Sequence, residues 1–271
     1  MLKLRLLTAA VLIPLMVWAT YALPTLGLGV LMGVFILAAA WEWAGLCGIA
    51  AGRGRILYIG AVAIAGVLLY RAPIAPVMLL SAAWWLWALF EMVYYRDVRA
   101  GLLASGAGKL IAGLFVLVPA WIAPLWLHAS QPDGWMLVLF LLVLVWSADS
   151  GAYFAGKAWG KTKIAPHISP GKSREGVLGG LVVVGLVALM SGLWVWRFAP
   201  DKLLLWVLLA MGVALVSVIG DLIESRYKRA AGVKDSGNLL PGHGGVLDRI
   251  DAFTAAAPFF VLGWIYLGLA A

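Results

Sequence analysis

From Asp221 to Asp251 the chain reads DLIESRYKRAAGVKDSGNLLPGHGGVLDRID, and this stretch joins two apolar runs at roughly Leu203–Ile223 and Ala252–Leu269. It holds five of the 12 acidic residues and five of the 20 basic ones. Charged groups are costly inside hydrocarbon unless they are paired, wet or functional. The stretch therefore predicts a charged functional region between two membrane helices.

The composition of the whole chain is that of a polytopic membrane protein. It has 271 residues, of which 64% are hydrophobic and 12% charged, with a mean hydropathy of +1.01. A soluble domain has about 25% charged residues. We expect an all-α integral membrane protein, because helices satisfy their own backbone in lipid. The net charge of +8 is interpreted as loops facing anionic lipid, with no nucleic-acid partner. Cys47 is the single cysteine, so no intrachain disulfide can form.

Nine apolar segments are long enough to approach a full membrane span. They are Leu6–Tyr21, Leu26–Leu46, Ile56–Tyr70, Pro76–Tyr94, Leu110–Leu127, Trp135–Phe154, Gly176–Trp196, Leu203–Ile223 and Ala252–Leu269. With the N-terminus inside, 17 of the 20 Lys and Arg residues lie on the cytoplasmic side, and only Arg71, Arg197 and Lys202 lie outside. This asymmetry predicts a cytoplasmic N-terminus, an external C-terminus and a charged stretch on the cytoplasmic face.

Chemistry-bearing residues concentrate after residue 134. We therefore predict that residues 1–134 are a scaffold of transmembrane helices that could also mediate dimerisation, and that residues 135–271 form the catalytic region. Glu42 and Glu91 in the first half are interpreted as interfacial carboxylates beside Arg53 or Arg96.

The sixth segment ends in SADSGAYFAGKAWGK, which places Ser147 and Asp149 inside a helical run. An intramembrane Asp faces the bundle interior or a wet cavity, so Asp149 is a candidate site residue; a packing role is the alternative. KTKIAPHISPGKSREG follows from residue 161, and its prolines predict a loop. Ser169, Lys172 and Arg174 combine hydroxyl and cationic groups at a helix start, which suits phosphate, although a basic loop on an anionic leaflet is the alternative.

Asp221 and Glu224 are three residues apart, so they share a helix face, and Asp248 and Asp251 repeat this spacing. Carboxylates on two neighbouring helices could hold a hard cation, for which Mg²⁺ is the natural candidate. The alternative is ion pairing with nearby basic residues. PGHGG, residues 241–245, is a turn of little bulk, and we predict that His243, Gly244 and Gly245 face a ligand.

The charged stretch resembles the signature of the phosphatidate cytidylyltransferases, the CDP-diacylglycerol synthases. The matching residues are Ser225, Lys228, Arg229, Lys234, Asp235, Gly237, Pro241, His243, Gly244, Gly245, Asp248, Arg249 and Asp251. SADSGAYFAGKAWGK and SPGKSREG are also similar to upstream family segments, and Tyr227 replaces the usual aliphatic residue. The resemblance covers roughly Ser147 to the end of the chain.

This resemblance implies transfer of CMP from CTP to phosphatidic acid, giving CDP-diacylglycerol and pyrophosphate. It implies a Mg²⁺ site at Asp221 and Asp248, room for a second cation such as K⁺, and a homodimer. Together with the distribution of Lys and Arg, we expect a place in a bacterial inner membrane with the active site facing the cytoplasm. In the mechanism that fits, Asp251, Asp149 or Asp235 completes the metal site or holds a water molecule beside it.

Basic residues of the stretch, namely Lys228, Arg229, Lys234 and Arg249, would then neutralise the triphosphate. Ser169, Lys172 and Arg174 would meet either CTP or the lipid phosphate. A secondary transporter with a site at Asp149 and Asp221 is the rival interpretation. A CDP-alcohol phosphotransferase is disfavoured, because its DG-x₂-AR motif is absent.

Overall fold

A computed structural model describes residues 2–94, 105–240, 242 and 244–269, with side chains from residue 10 onward. Within these ranges the chain forms nine helices and a two-stranded sheet. The elements in chain order are α1 Leu2–Ala22, α2 Thr25–Leu46, α3 Arg53–Tyr70, α4 Ile74–Tyr94, α5 Gly106–Ala129, α6 Gly134–Trp159, β1 Lys163–Ala165, β2 Ser169–Ser173, α7 Arg174–Trp194, α8 Pro200–Ala230 and α9 Leu247–Tyr266.

Seven of these helices, α2 to α8, are long and apolar enough to cross a membrane. The remaining two, α1 and α9, have 21 and 20 residues, and α9 carries Asp248, Arg249 and Asp251 near its start. Large apolar side chains such as Leu57 and Leu178 are exposed on the outside of the bundle, as expected for a surface in contact with lipid. The prediction of an all-α integral membrane protein is therefore confirmed.

α6 and α8 extend well beyond the C-terminal ends of the predicted apolar segments. α6 continues five residues past Phe154, and α8 continues through DLIESRYKRA to Ala230. This extension consists mostly of good helix formers, and Glu224 and Lys228 pair across one turn within it. α8 ends where Gly232 adopts a φ of +73°, a left-handed conformation that favours glycine. Asp221 and Lys228 consequently lie on one rigid element.

The prediction of a plain loop from residue 161 to residue 176 is wrong. β1 and β2 pair there as an antiparallel hairpin, with Lys163 opposite Ser173 and Ala165 opposite Ser169. Pro170 is tolerated in β2 because a two-stranded sheet consists only of edge strands. The hairpin directs Lys172 toward α8.

α9 lies at the centre of the bundle. It packs against α8, α5, α4, α6 and α2, and Ala255, Ala256 and Ala257 are fully buried within it. One hydrophobic cluster runs from Ile36 to Leu269, so the two halves of the chain share a single core.

Glycines allow the closest helix approaches. A Cβ on Gly220 would overlap the backbone oxygen of Asp251 and the side chain of Ala255. α8 and α9 therefore touch immediately beside Asp221. In the same way a Cβ on Gly180 would overlap the backbone oxygen of Ala148, which brings α7 close to α6 near Asp149.

Candidate active site

The first part of the site is a face of α8 that carries Asp221, Glu224 and Lys228. Lys228 Nζ lies 2.6 Å from Glu224 Oε2 on the same helix and 2.6 Å from Asp248 Oδ1 at the start of α9. The side chains of the two carboxylates are only 3% and 6% exposed. Lys228 therefore compensates two nearly buried negative charges and joins the two helices.

Asp248 also organises the backbone that precedes α9. Its Oδ2 accepts hydrogen bonds from Ser236 N at 2.9 Å and Gly245 N at 2.8 Å. Gly244 has a φ of +80°, and a Cβ there would contact Asp248. The chain can fold over the carboxylate at this point because Gly244 has no side chain.

Asp221 is held from the hairpin. Lys172 Nζ of β2 lies 2.6 Å from Asp221 Oδ2, and Ser225 Oγ donates a hydrogen bond to Asp221 Oδ1 at 3.2 Å. This ion pair is wetter than the Lys228 pairs, because its side chains are 21% and 27% exposed. Separating Lys172 from Asp221 therefore costs less free energy than separating Lys228 from Glu224 and Asp248, because water can reach the separated groups of the first pair more easily.

Two further carboxylates belong to the same charged cluster. Asp149 of α6 interacts electrostatically with Asp221, Lys172 and Arg249, and Asp251 of α9 interacts with Asp221 and Lys228. These interactions place charged groups of α6, α8 and α9 in one neighbourhood.

A cavity of about 280 Å³ opens beside this cluster. Its charged end consists of Asp149, Asp248, Arg249 and Asp251. Its remaining wall is mostly apolar and comes from α1, α2, α5, α6 and α9, with Met16, Phe35, Val145 and Phe253 among the lining residues. The cavity can therefore receive a charged head group together with the first part of an attached apolar chain.

The donor chemistry of the cluster suits a hard cation. The charged ligating groups are carboxylates, and Glu224 Oε1 is buried without a hydrogen-bond partner in the described ranges. The ammonium groups of Lys172 and Lys228 contact three of the carboxylates, so these positions already attract positive charge. Among the described residues, no three His, Cys, Asp or Glu side chains are close enough together to share a metal ion. The metal site at Asp221, Asp248 and Asp251 stays a prediction.

The other predicted site residues lie around this centre. Arg229 Nε donates to the Ile168 backbone oxygen at 3.2 Å, which attaches the hairpin turn to the end of α8. Arg174, Lys234 and Asp235 are exposed, whereas Ser147 and Ser169 are half-buried on α6 and β2. His243 and Pro241 lie outside the described residues.

The interpretation of Glu42 as an interfacial carboxylate is wrong. Glu42 is 3% exposed, and it accepts hydrogen bonds from Val246 N at 3.0 Å, Leu247 N at 2.8 Å and Ser236 Oγ at 3.0 Å. Glu91 is also buried, at 4% exposed. The signal that could have identified Glu42 is its position in the apolar run FILAAAWEW, where an acidic residue implies an interior partner.

Comparison with known proteins gives consistent matches. The model of the "Cytidylyltransferase family" matches residues 3–267. The chain is 44% identical to the phosphatidate cytidylyltransferase of Pseudomonas aeruginosa over 262 residues, which cover 96% of each protein. It is 34% identical to that of Haemophilus influenzae over 96% of this chain and 97% of the relative. Its similarity to the Bacillus subtilis enzyme is 46% identity over 46% of each chain.

Proposed function

The chain belongs to the cytidylyltransferase family, and on that premise we propose that it transfers CMP from CTP to phosphatidic acid, forming CDP-diacylglycerol and pyrophosphate. The names of its relatives, phosphatidate cytidylyltransferases, support this substrate pair. The proposal places the protein in phospholipid biosynthesis.

The cavity beside α9 is the single observation that carries the proposal. It joins an apolar wall in the helix bundle to a charged end at Asp149, Asp248 and Arg249. Phosphatidic acid has the same division into acyl chains and a phosphate head. The first part of its chains would lie against the apolar wall, and the phosphate would reach Arg249, with the expected Mg²⁺ offsetting the carboxylates at this end.

The reaction is a phosphoryl-type substitution. A phosphate oxygen of the lipid attacks the α-phosphorus of CTP, a new P–O bond forms, and the bond to the β-phosphate bridging oxygen breaks. Both electrons of that bond leave with pyrophosphate. The attacking phosphate is already an anion at neutral pH, so a side-chain nucleophile is unnecessary. Such reactions depend mainly on positioning and charge stabilisation.

The basic residues would supply that stabilisation. Lys172 is the best-placed cation to exchange partners, because its ion pair with Asp221 is partly exposed. It would move from Asp221 to a phosphate oxygen. Lys228 would stay between Glu224 and Asp248 and hold α8 against α9. The exposed Lys234 and Arg174 would extend the positive surface toward the β- and γ-phosphates.

Mg²⁺ is the expected cofactor, with Asp221 and Asp248 as its principal ligands and Asp251, Asp149 or Asp235 completing the site. Bound Mg²⁺ would neutralise triphosphate charge. Asp248 is already oriented by Ser236 N, Gly245 N and Lys228, so its orientation would be set before any cation arrives. K⁺ as a second cation and a homodimeric assembly remain parts of the proposal.

The expected location is a bacterial inner membrane. Seven helices of spanning length and the bacterial relatives support a membrane protein of bacterial type. The distribution of Lys and Arg favours a cytoplasmic active site.

The experiment combines purified protein, labelled CTP and phosphatidic acid in mixed micelles, with and without Mg²⁺. We expect a lipid-soluble labelled product that requires the protein, phosphatidic acid and Mg²⁺. Asp221→Asn should reduce turnover by at least about 100-fold if this carboxylate binds the cofactor. Asp201→Asn, at the opposite end of α8, is the matched control.

Absence of a lipid-soluble product from the unaltered protein would refute the enzyme assignment. Ion-driven uptake into vesicles without nucleotide would instead favour a transporter. Near-normal turnover in Asp221→Asn would remove Asp221 from the proposed metal site while leaving the reaction standing.

A further inference from the structure

Glu42 is a buried acidic residue in the half of the chain that was predicted to be scaffold. It lies near the end of α2 and is 3% exposed. Among the described residues, its carboxylate makes no ion pair with Arg53, and Arg96 lies outside those residues. The carboxylate accepts hydrogen bonds from the segment just before α9 instead.

The contacts of Glu42 complete the start of α9. The first N–H groups of a helix lack partners within the helix, and Val246, at the N-cap of α9, provides no side-chain cap. Glu42 Oε1 accepts from Val246 N at 3.0 Å, and Oε2 accepts from Leu247 N at 2.8 Å. A carboxylate is well suited to this position because the N-terminal end of a helix carries partial positive charge.

Ser236 connects Glu42 to Asp248. Its hydroxyl donates to Glu42 Oε2 at 3.0 Å, while its backbone N–H donates to Asp248 Oδ2 at 2.9 Å. Asp248 and Glu42 thus hold opposite sides of the same short piece of chain. Movement of that chain would move the donors that orient Asp248.

Two glycines leave the space that this arrangement needs. A Cβ on either Gly237 or Gly245 would overlap the Glu42 carboxylate. The backbone can approach Glu42 from both sides only because these residues have no side chain. The contact with Glu42 therefore depends on Gly237 and Gly245 in the segment as well as on Glu42 in α2.

We propose that Glu42 is a positioning residue for the reaction. It anchors Ser236 at one end of this segment, and Val246 and Leu247 at the other, on α2 and thereby sets the orientation of Asp248 toward CTP and its cation. The effect of Glu42 on the reaction rests on the proposed function. The anchoring of the segment by Glu42 does not depend on that function. It also assigns a part of the active site to the first half of the chain.

Glu42→Gln is the direct test. Glutamine has one acceptor oxygen for three donors, and its NH₂ group would face an N–H or O–H that needs an acceptor. We expect amide hydrogen exchange at Ser236, Gly245, Val246 and Leu247 to accelerate by about tenfold or more. We also expect the CTP and Mg²⁺ concentrations for half-maximal rate to rise on the order of tenfold, with the KM for phosphatidic acid unchanged within about twofold.

Ser236→Ala provides a milder second variant. It removes the hydroxyl bond to Glu42 but keeps the backbone N–H that binds Asp248, so the same quantities should change by about two- to fivefold. Glu91→Gln is the matched control, because it neutralises another buried carboxylate outside this segment. It should leave exchange at the four amides unchanged.

The hydrogen-exchange measurement tests the anchoring of the segment by Glu42, and the kinetic measurement tests the effect of Glu42 on the reaction. Unchanged exchange at the four amides in Glu42→Gln, or acceleration spread evenly over α8 and α9, would overturn the anchoring. Local acceleration with unchanged CTP and Mg²⁺ dependence would overturn the positioning role. If the unaltered protein makes no CTP-dependent product, the proposed function fails, and the exchange measurement still decides whether Glu42 anchors the segment.

Discussion

Replacement of Lys228 by methionine should destabilise the protein far more than the same replacement of Lys172. Both lysines lie 2.6 Å from a carboxylate. Lys228, however, serves two carboxylates that are 3% and 6% exposed, whereas the Lys172 pair is 21% and 27% exposed. Because the ion-pair distances are equal and only the burial differs, comparing the two variants tests how strongly burial increases the cost of losing a counter-charge.

The magnitude follows from what each variant leaves behind. Lys228→Met leaves Glu224 and Asp248 without their shared counter-charge in a dry environment, which should cost about 3–5 kcal/mol. Lys172→Met leaves Asp221 partly hydrated, at a cost of about 1 kcal/mol or less. For a chain of this size, the larger loss lowers the unfolding midpoint on the order of 10 °C.

The assay is thermal unfolding in one detergent, followed by tryptophan fluorescence and by the amount of protein that remains monodisperse. Lys202→Met, at the far end of α8, is the control and should not shift the midpoint. The double variant Lys228→Met with Glu224→Gln should recover about half of the loss, because one of the two uncompensated charges is gone. A midpoint for Lys228→Met at or above that of Lys172→Met would refute the reasoning, as would a double variant less stable than the single one.

Three further predictions concern the helix contact, the thiol and the cation. Gly220→Val should separate α8 from α9 at Asp251, which should cost about 1–3 kcal/mol of stability and most of the activity. Gly212→Val, at a position with open space, should fold normally, and equal thermal unfolding midpoints for the two variants would contradict the close contact. Desolvation at its half-buried position raises the pKa of Cys47 to about 12, so its thiolate fraction at pH 8 should be far below that of an exposed thiol. Mass spectrometry should show much slower alkylation in the folded protein than in the unfolded one, and equal rates would contradict this prediction. EDTA should abolish product formation by the unaltered protein, and excess Mg²⁺ should restore it. The activity of Asp248→Asn should not be restored at any Mg²⁺ concentration. Full activity in EDTA would remove the metal from the mechanism.

The hairpin illustrates how local sequence can conceal structure. Pro166, Pro170 and Gly171 correctly indicate that the helix is interrupted after α6. They do not reveal that Lys163 and Ser173 pair across a short sheet, because strand pairing depends on two segments that a local pattern treats separately. The consequence for the site is that Lys172 reaches Asp221 from a defined strand.

The acidic residues on α8 and α9 could be predicted more completely. Asp221 and Glu224 share a helix face because of their spacing, and Asp248 begins the next helix as expected. Their mutual proximity then depends on Gly220, which admits α9 to within contact of α8. A periodic pattern identifies the face of a helix but not the helix that packs on it.

The sequence by itself determined that this protein is a bundle of apolar helices with one charged region near its C-terminal end, because hydrocarbon solvation and helical periodicity act on each segment independently. It also determined the family, through a signature concentrated in that region. Only the tertiary structure decided that Lys228 joins two carboxylates, that a cavity with an apolar wall opens beside them, and that Glu42 caps α9 from 204 residues before Val246 along the chain. Each of these features requires partners from different helices, and which helices meet is set by the close packing of the whole core.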